Sequence, residues 1–191
     1  MSDKKNDFEA GSEEMSLSEA RALVRVVIWA ALIGVGGWLS IPIPGVPISL
    51  QTFFVILAGL AEGPKLGAMA AGLYLLAGFL GLPVFTGGLG GPAILLRPSA
   101  GFALAFPLGA AVAGLAWRYR GADGLISFRR AFLLAWAGNF FIYFCGFIGL
   151  ILNTQMAGEA VAKLMLTFVP GDMAKFAAAA SLASSRFFRR K

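Results

Sequence analysis

AFLLAWAGNFFIYFCGFIGLIL, Ala131 to Leu152, contains no Asp, Glu, Lys or Arg. A helix needs ~20 such residues, rising ~1.5 Å each, to cross the hydrocarbon of a bilayer. This stretch supplies them without interruption, so it predicts a membrane-spanning helix. The rest of the chain has the same character: 58% of its 191 residues are hydrophobic, 14% are charged, and the mean hydropathy is +0.78. A soluble domain carries about 25% charged residues. The composition therefore predicts an all-α, polytopic membrane protein.

Working outward from Ala131–Leu152, five further apolar runs complete a six-span map. They cover residues 22–40, 48–61, 66–80, 100–117 and 171–187. The second and third are shorter than a full crossing and are expected to share the bilayer with buried loops, because non-helical backbone is tolerated there only under protein or around a cavity. Residues 1–20 mix both charge signs and lack the apolar core of a signal peptide, so they read as a flexible polar tail on a membrane domain covering 21–191.

Charge sets the orientation. Lys4, Lys5, Arg21, Arg25, Lys65, Arg118, Arg120, Arg129, Arg130, Arg186, Arg189, Arg190 and Lys191 all fall on one side of an even-numbered bundle. Basic residues collect on the cytoplasmic side, which puts both termini inside. The net charge of +6 is thus a topology signal. With no basic–aromatic module, it does not point to nucleic acid.

The opposite side has long connections that are too apolar for solvated linkers: 41–52, 81–101 and 153–170. Val46, Ile48, Phe85 and Ile94 to Leu96 require burial. These outer loops are expected to re-enter the bundle and line a cavity.

Polar residues near that cavity are few. In VPGDMAKF, Val169 to Phe176, Pro170 and Gly171 break the chain. Asp172 then falls in the first turn of a helix, with Lys175 on the same face. The two form either a self-satisfied cap and ion pair or a polar patch facing a ligand. Ionisable groups in membrane segments usually mark a ligand or ion path. Arg97 either clamps a carboxylate or snorkels to the headgroups. Gln51 and Thr52 open the second run, as helix caps or as inward-reaching groups, and Ser99 is placed to cap the fourth. Asn139 and Tyr143, at i and i+4, are either interhelical glue or ligand contacts. Glu159 and Lys163 read as a solvated amphipathic turn. In the first span Ala30 and Gly34 form a small-xxx-small pair, for packing within the bundle or against a partner.

Some chemistries are disfavoured. The chain has no His, and Cys145 is its single cysteine, so the usual soft metal ligands are missing and no metal site is expected. TGGLGG, Thr86 to Gly91, lacks the spacing of a nucleotide-binding loop; its glycines suit close backbone approach to a ligand. A single carboxylate without His or an activated nucleophile leaves an intramembrane enzyme few roles to fill.

Four ordered motifs then carry a resemblance: PGVPISLQT (Pro44–Thr52), GLPVFTGGLGG (Gly81–Gly91), RPSAGFALAF (Arg97–Phe106) and PGDMAK (Pro170–Lys175). Together they resemble the BioY family, the biotin-specific S components of energy-coupling-factor (ECF) transporters, over residues 21–189. The resemblance implies a six-helix subunit in the cytoplasmic membrane of a prokaryote that captures biotin from outside. It also implies a transmembrane coupling protein and two ATPase subunits as partners, which use the ATP. No cofactor is implied. Asp172 and Lys175 would face the ligand's polar groups, Gln51 would lie near the pocket mouth, and Phe85, Thr86 and Gly87 would cover it. Arg97 would meet the carboxylate, and Ala30 and Gly34 would dock on the coupling protein. An S component for a different small vitamin is the nearest alternative.

Overall fold

The stretch EGPK, Glu62 to Lys65, turns one apolar run back on the next. In the computed structural model both runs lie in α2 (Gln51–Phe79), but the helix is broken at Gly63, whose φ of 86° and ψ of 177° are not helical, and at Pro64. A straight helix would separate Gln51 and Tyr74 by ~35 Å. Instead, Gln51 Nε2 donates to the Tyr74 hydroxyl at 2.5 Å. The missing Cβ of Gly67 would lie 2.7 Å from Gly59 Cα. The α2 legs are therefore antiparallel, and Gly59 and Gly67 let their backbones touch.

The structure describes the backbone of residues 3–41 and 46–185, with side chains from Leu17 onward. The basic residues Arg186, Arg189, Arg190 and Lys191, the side chains of Lys4 and Lys5, and residues 42–45 of the first outer loop lie outside the described residues. Helix α1 (Asp3–Trp38) continues N-terminally through residues 3–20. Two short strands follow, β1 (Ser40–Ile41) and β2 (Ile48–Ser49), paired antiparallel with Ser40 opposite Ser49. After α2 the chain passes through a 3-10 turn at Pro92–Leu96, α3 (Ala100–Leu104) and α4 (Phe106–Gly114). A second 3-10 turn, Leu115–Tyr119, leads to α5 (Phe128–Thr154), α6 (Gly158–Leu166) and α7 (Val169–Ala183).

The architecture is helical and apolar. Leu17–Trp38 and Phe128–Thr154 are each long and apolar enough to cross a membrane, and the apolar Gln51–Phe79 is divided into its two shorter legs. The fourth run, expected as one span over 100–117, is instead divided: Pro107 near the start of α4 cannot donate to a preceding helical turn. The connection over 153–170, expected as a re-entrant outer loop with an amphipathic turn at Glu159 and Lys163, contains α6. Left-handed Gln155 (φ 56°) ends α5, and Glu159 and Lys163 then pair at 2.7 Å on the exposed face of α6.

Helix α4 sits at the centre, packed on α2 and α5. Ala110 and Ala113 are fully buried, so small side chains bring these helices close. The outward faces are equally apolar: Val24, Val27 and Ile28 on α1 and Phe140 and Phe144 on α5 are exposed. In water that would be a liability, whereas hydrocarbon is the solvent such a surface matches.

One end of the bundle is tied around the α2 reversal. Glu62, only 7% exposed, pairs with Arg25 at 3.0 Å and accepts from Trp29 Nε1 at 3.1 Å. Trp117 Nε1 donates to the Leu60 carbonyl at 3.0 Å, and the Arg120 guanidinium lies 4.0 Å above the Trp117 ring. Arg25, Glu62, Arg118, Arg120 and Arg130 therefore gather at the end away from the outer loops. Glu62 was not among the residues singled out from sequence; its signal is a lone carboxylate at the tip of an apolar hairpin, which has to find a cation.

Candidate functional site

The opposite end holds a cavity with an open mouth. The two legs of α2 bring Gln51, Thr52 and Tyr74 to it. The outer loop adds Phe85 and Thr86, and the segment from Ile94 to Phe106 adds Ser99 and two phenylalanine rings. Tyr143 from α5, and Phe168, Asp172 and Lys175 around the start of α7, complete the wall. A concave site, mostly apolar with a few convergent polar groups, suits a small organic molecule.

Asp172 is the polar anchor. Helix α7 starts behind Pro170, and the Asp172 backbone N–H already bonds the Phe168 carbonyl at 2.9 Å. The carboxylate makes no capping bond and points sideways into the bundle. Its Oδ1 meets Lys175 Nζ at 2.9 Å and accepts from Thr52 Oγ1 at 3.4 Å; its Oδ2 accepts from the Tyr143 hydroxyl at 2.6 Å. Lys175 also donates to Thr52 Oγ1 at 3.4 Å. The Asp172 and Lys175 side chains are 4% and 12% exposed. Three helices thus converge on one buried ion pair, which is costly unless every lone pair has a partner.

Gln51 organises a second network. Besides its bond to Tyr74, its Oε1 accepts from Thr86 Oγ1 at 2.8 Å and from Ser49 Oγ at 3.4 Å. Gln51 is 5% exposed, so its amide latches the outer loop onto both α2 legs. Phe85 closes the loop from inside: it is 1% exposed and packs edge-on against Tyr74 at 5.6 Å. Thr86→Val keeps the shape but removes the donor. It is expected to loosen the latch by about 0.5–1.5 kcal/mol, read as faster amide hydrogen exchange over residues 85–89. Unchanged exchange there would mean that the latch holds nothing.

Of the residues singled out from sequence, the structure brings Gln51, Phe85, Thr86, Tyr143, Asp172 and Lys175 around one cavity. Gly87 lies beside it in the loop turn, with φ 79°. Arg97 is exposed, between the lining residues Ile94 and Ser99, and its carbonyl accepts from Asn153 Nδ2 at 2.8 Å. Asn139 is fully buried, one turn inward of Tyr143 and outside the cavity wall. Ala30 is half-buried, and Gly34 is buried with its missing Cβ 3.4 Å from Val84 Cβ. At Gly34 the small-residue face packs against this chain's own loop, so Gly34 offers no surface to a partner. The capping roles also give way: neither Thr52 nor Ser99 makes a helix-capping bond, and both line the cavity instead.

Tyr74 escaped the sequence reading. Its signal was a hydroxyl on an otherwise apolar leg, a group that needs a partner when buried. Only the fold-back at Gly63 reveals Gln51 as that partner.

Comparison with known proteins finds relatives over most of the chain. The sequence model of the BioY family matches residues 7–190. A Thermotoga maritima protein, biotin transporter BioY, is 37% identical over 163 residues, covering 85% of this chain and 94% of the relative. A Pyrococcus horikoshii protein, probable biotin transporter BioY, is 36% identical over 166 residues, covering 86% and 95%. Among solved structures, the S-component for biotin from an ECF-type ABC transporter is similar with a TM-score of 0.82 and 28% identity, over 91% of this chain and 94% of that one.

Proposed function

This chain belongs to the BioY family, and we propose on that premise that it binds biotin and takes it up across the membrane as the substrate-binding subunit of an ECF-type transporter. The observation that carries the reading is the Asp172–Lys175–Tyr143–Thr52 cluster at the head of a mostly apolar cavity. Biotin divides in the same way. Its fused ureido ring offers two N–H donors and one carbonyl acceptor, while its thiophane ring and aliphatic chain suit Phe85, Phe102 and Phe106. Asp172 accepts an N–H, Lys175 donates to the ureido carbonyl, and the Gln51–Thr86 latch closes the loop over the ligand. Arg97, exposed between two lining residues, is the cation for the carboxylate at the mouth.

The basic end of the bundle faces the cytoplasm by the positive-inside rule, which opens the cavity outward in the cytoplasmic membrane of a prokaryote. The chain acts as a binding and translocating subunit and not as an enzyme; energy comes from a transmembrane coupling protein with two ATPase subunits. The face of α1 left for that contact is the exposed one, including Val27, Ala31 and Val35.

Equilibrium binding of labelled biotin to the purified chain in detergent tests the proposal. Saturable binding that unlabelled biotin displaces and thiamine or riboflavin does not is the expected result. Displacement by a different vitamin would reassign the substrate, and a folded protein that binds no biotin would remove the reading.

A further inference from the structure

Arg97 lies in the outer segment between α2 and α3, and its backbone is shaped locally. Its N–H donates to the Ile94 carbonyl and its own carbonyl accepts from the Ala100 N–H, each at 3.0 Å. Pro98 favours an extended residue before itself, and Arg97 is extended, with φ −88° and ψ 150°. These features give the turn its form without fixing where it stands against the bundle. Asn153, in the last turn of α5, supplies that tie. Its Nδ2 donates to the Leu95 carbonyl at 2.9 Å and to the Arg97 carbonyl at 2.8 Å. A primary amide nitrogen has two hydrogens, and the carbonyls flanking Leu96 take both. Of the neutral side chains only Asn and Gln offer such a pair of donors, and Asn is the shorter.

The same face of α5 carries a second anchor. Gly149, one turn before Asn153, lies against α3, where its missing Cβ would be 2.8 Å from Gly101 Cα. The segment that holds Arg97 is therefore fastened to α5 on both sides. Ten residues before Asn153, Tyr143 on the same helix reaches Asp172. One helix thus serves both ends of the cavity, roughly 15 Å apart along its axis. Arg97 itself is exposed, and an arginine in that state loses rotamer freedom when a carboxylate engages it. Fixing its backbone reduces what remains to be ordered, and a forked guanidinium–carboxylate pair depends on the direction of approach.

Resting on the biotin reading, with Arg97 as the cation for the carboxylate, we propose that Asn153 is a positioning residue of the site. Its amide sets where Arg97 stands at the mouth, and through Arg97 it favours the ionised acid over an uncharged ligand of the same shape.

The test compares biotin with its methyl ester, which keeps the head and the chain but carries no charge. Affinities for both are measured with wild type, Asn153→Leu, Asn153→Ala, Arg97→Gln and the Arg97→Gln, Asn153→Leu double variant. Asn153→Leu and Asn153→Ala should bind biotin roughly three- to tenfold more weakly and the ester as wild type does. The leucine should add nothing once residue 97 is no longer arginine, as expected for two positions acting through one contact. Asn153→Ala keeps the test open if the leucine does not fit. Equal weakening on both ligands would make Asn153 a structural tie only and overturn the proposal. Unchanged biotin affinity, or a full loss that persists beside Arg97→Gln, would overturn it as well. An Arg97→Gln variant that discriminates acid from ester as wild type does would remove the assignment of Arg97, and this inference with it. Wild type that binds no biotin would remove the biotin reading itself.

Discussion

Asp172→Asn is expected to weaken biotin binding by roughly 1.5–3 kcal/mol, the size of a hydrogen bond to a charged group, or about tenfold to more than a hundredfold in Kd. The substitution changes almost no volume, and the asparagine oxygen can still accept from Tyr143, so the helices should keep their places. What is lost is the charge. Lys175, 12% exposed and held at 2.9 Å by the carboxylate, then lacks its counter-ion and is no longer aimed at the ligand's carbonyl. Lys175→Ala should fail in the complementary way, leaving a carboxylate 4% exposed with only Tyr143 and Thr52 as donors. Removing one member of a buried pair typically costs ~3–5 kcal/mol of stability, so the lysine variant should also melt earlier. Binding isotherms and thermal melts in detergent separate the two effects. Wild-type affinity in Asp172→Asn would exclude the ion pair from the binding site.

Gly59→Ala is expected to damage the fold itself, although it adds one methyl group in a helix. That carbon would lie 2.1 Å from the Ala110 carbonyl oxygen and 3.0 Å from its carbon. Both are backbone atoms of α4, so no side-chain rotation relieves the clash and two central helices must separate. Overpacking of this kind costs about 1–3 kcal/mol, occasionally more, and it falls at the junction on which the α2 hairpin and α4 are built. Gly72→Ala is the internal control. The same methyl group there meets nothing within 4 Å, and alanine favours helix over glycine by roughly 0.5–1 kcal/mol. Thermal melts should show Gly59→Ala well below wild type and Gly72→Ala at or slightly above it. Equal melting temperatures for both would mean that the α2–α4 contact is not a determinant of stability.

The two variants illustrate where sequence reading stops. Glycine in an apolar run signals close helix packing in general, but which of the chain's 25 glycines touches a backbone depends on the helix across from it. Gly34 shows the same limit: its small-residue spacing fits a partner or an internal neighbour equally well, and only the folded loop shows Val84 filling the space. The break at Gly63–Pro64 was legible as the gap between two short runs. That the legs fold flat on each other, pairing Gln51 with Tyr74, was not.

The sequence by itself determined the solvent, the helical class, the basic end and the small set of polar residues available for a site. Those properties follow from composition and local periodicity, because a charge in hydrocarbon or an apolar loop in water is unfavourable whatever its neighbours. The four motifs also carried the family. Tertiary structure alone decided which polar groups meet. Asp172 acquires Tyr143 and Thr52 because α5, α7 and the first leg of α2 converge. Asn139, on the same face of α5 one turn away, has only the Tyr143 hydroxyl of its own helix beside it among the described residues. Hydrogen bonds act over about 3 Å, and contacts between residues some 30 to 120 positions apart are set by how the helices pack.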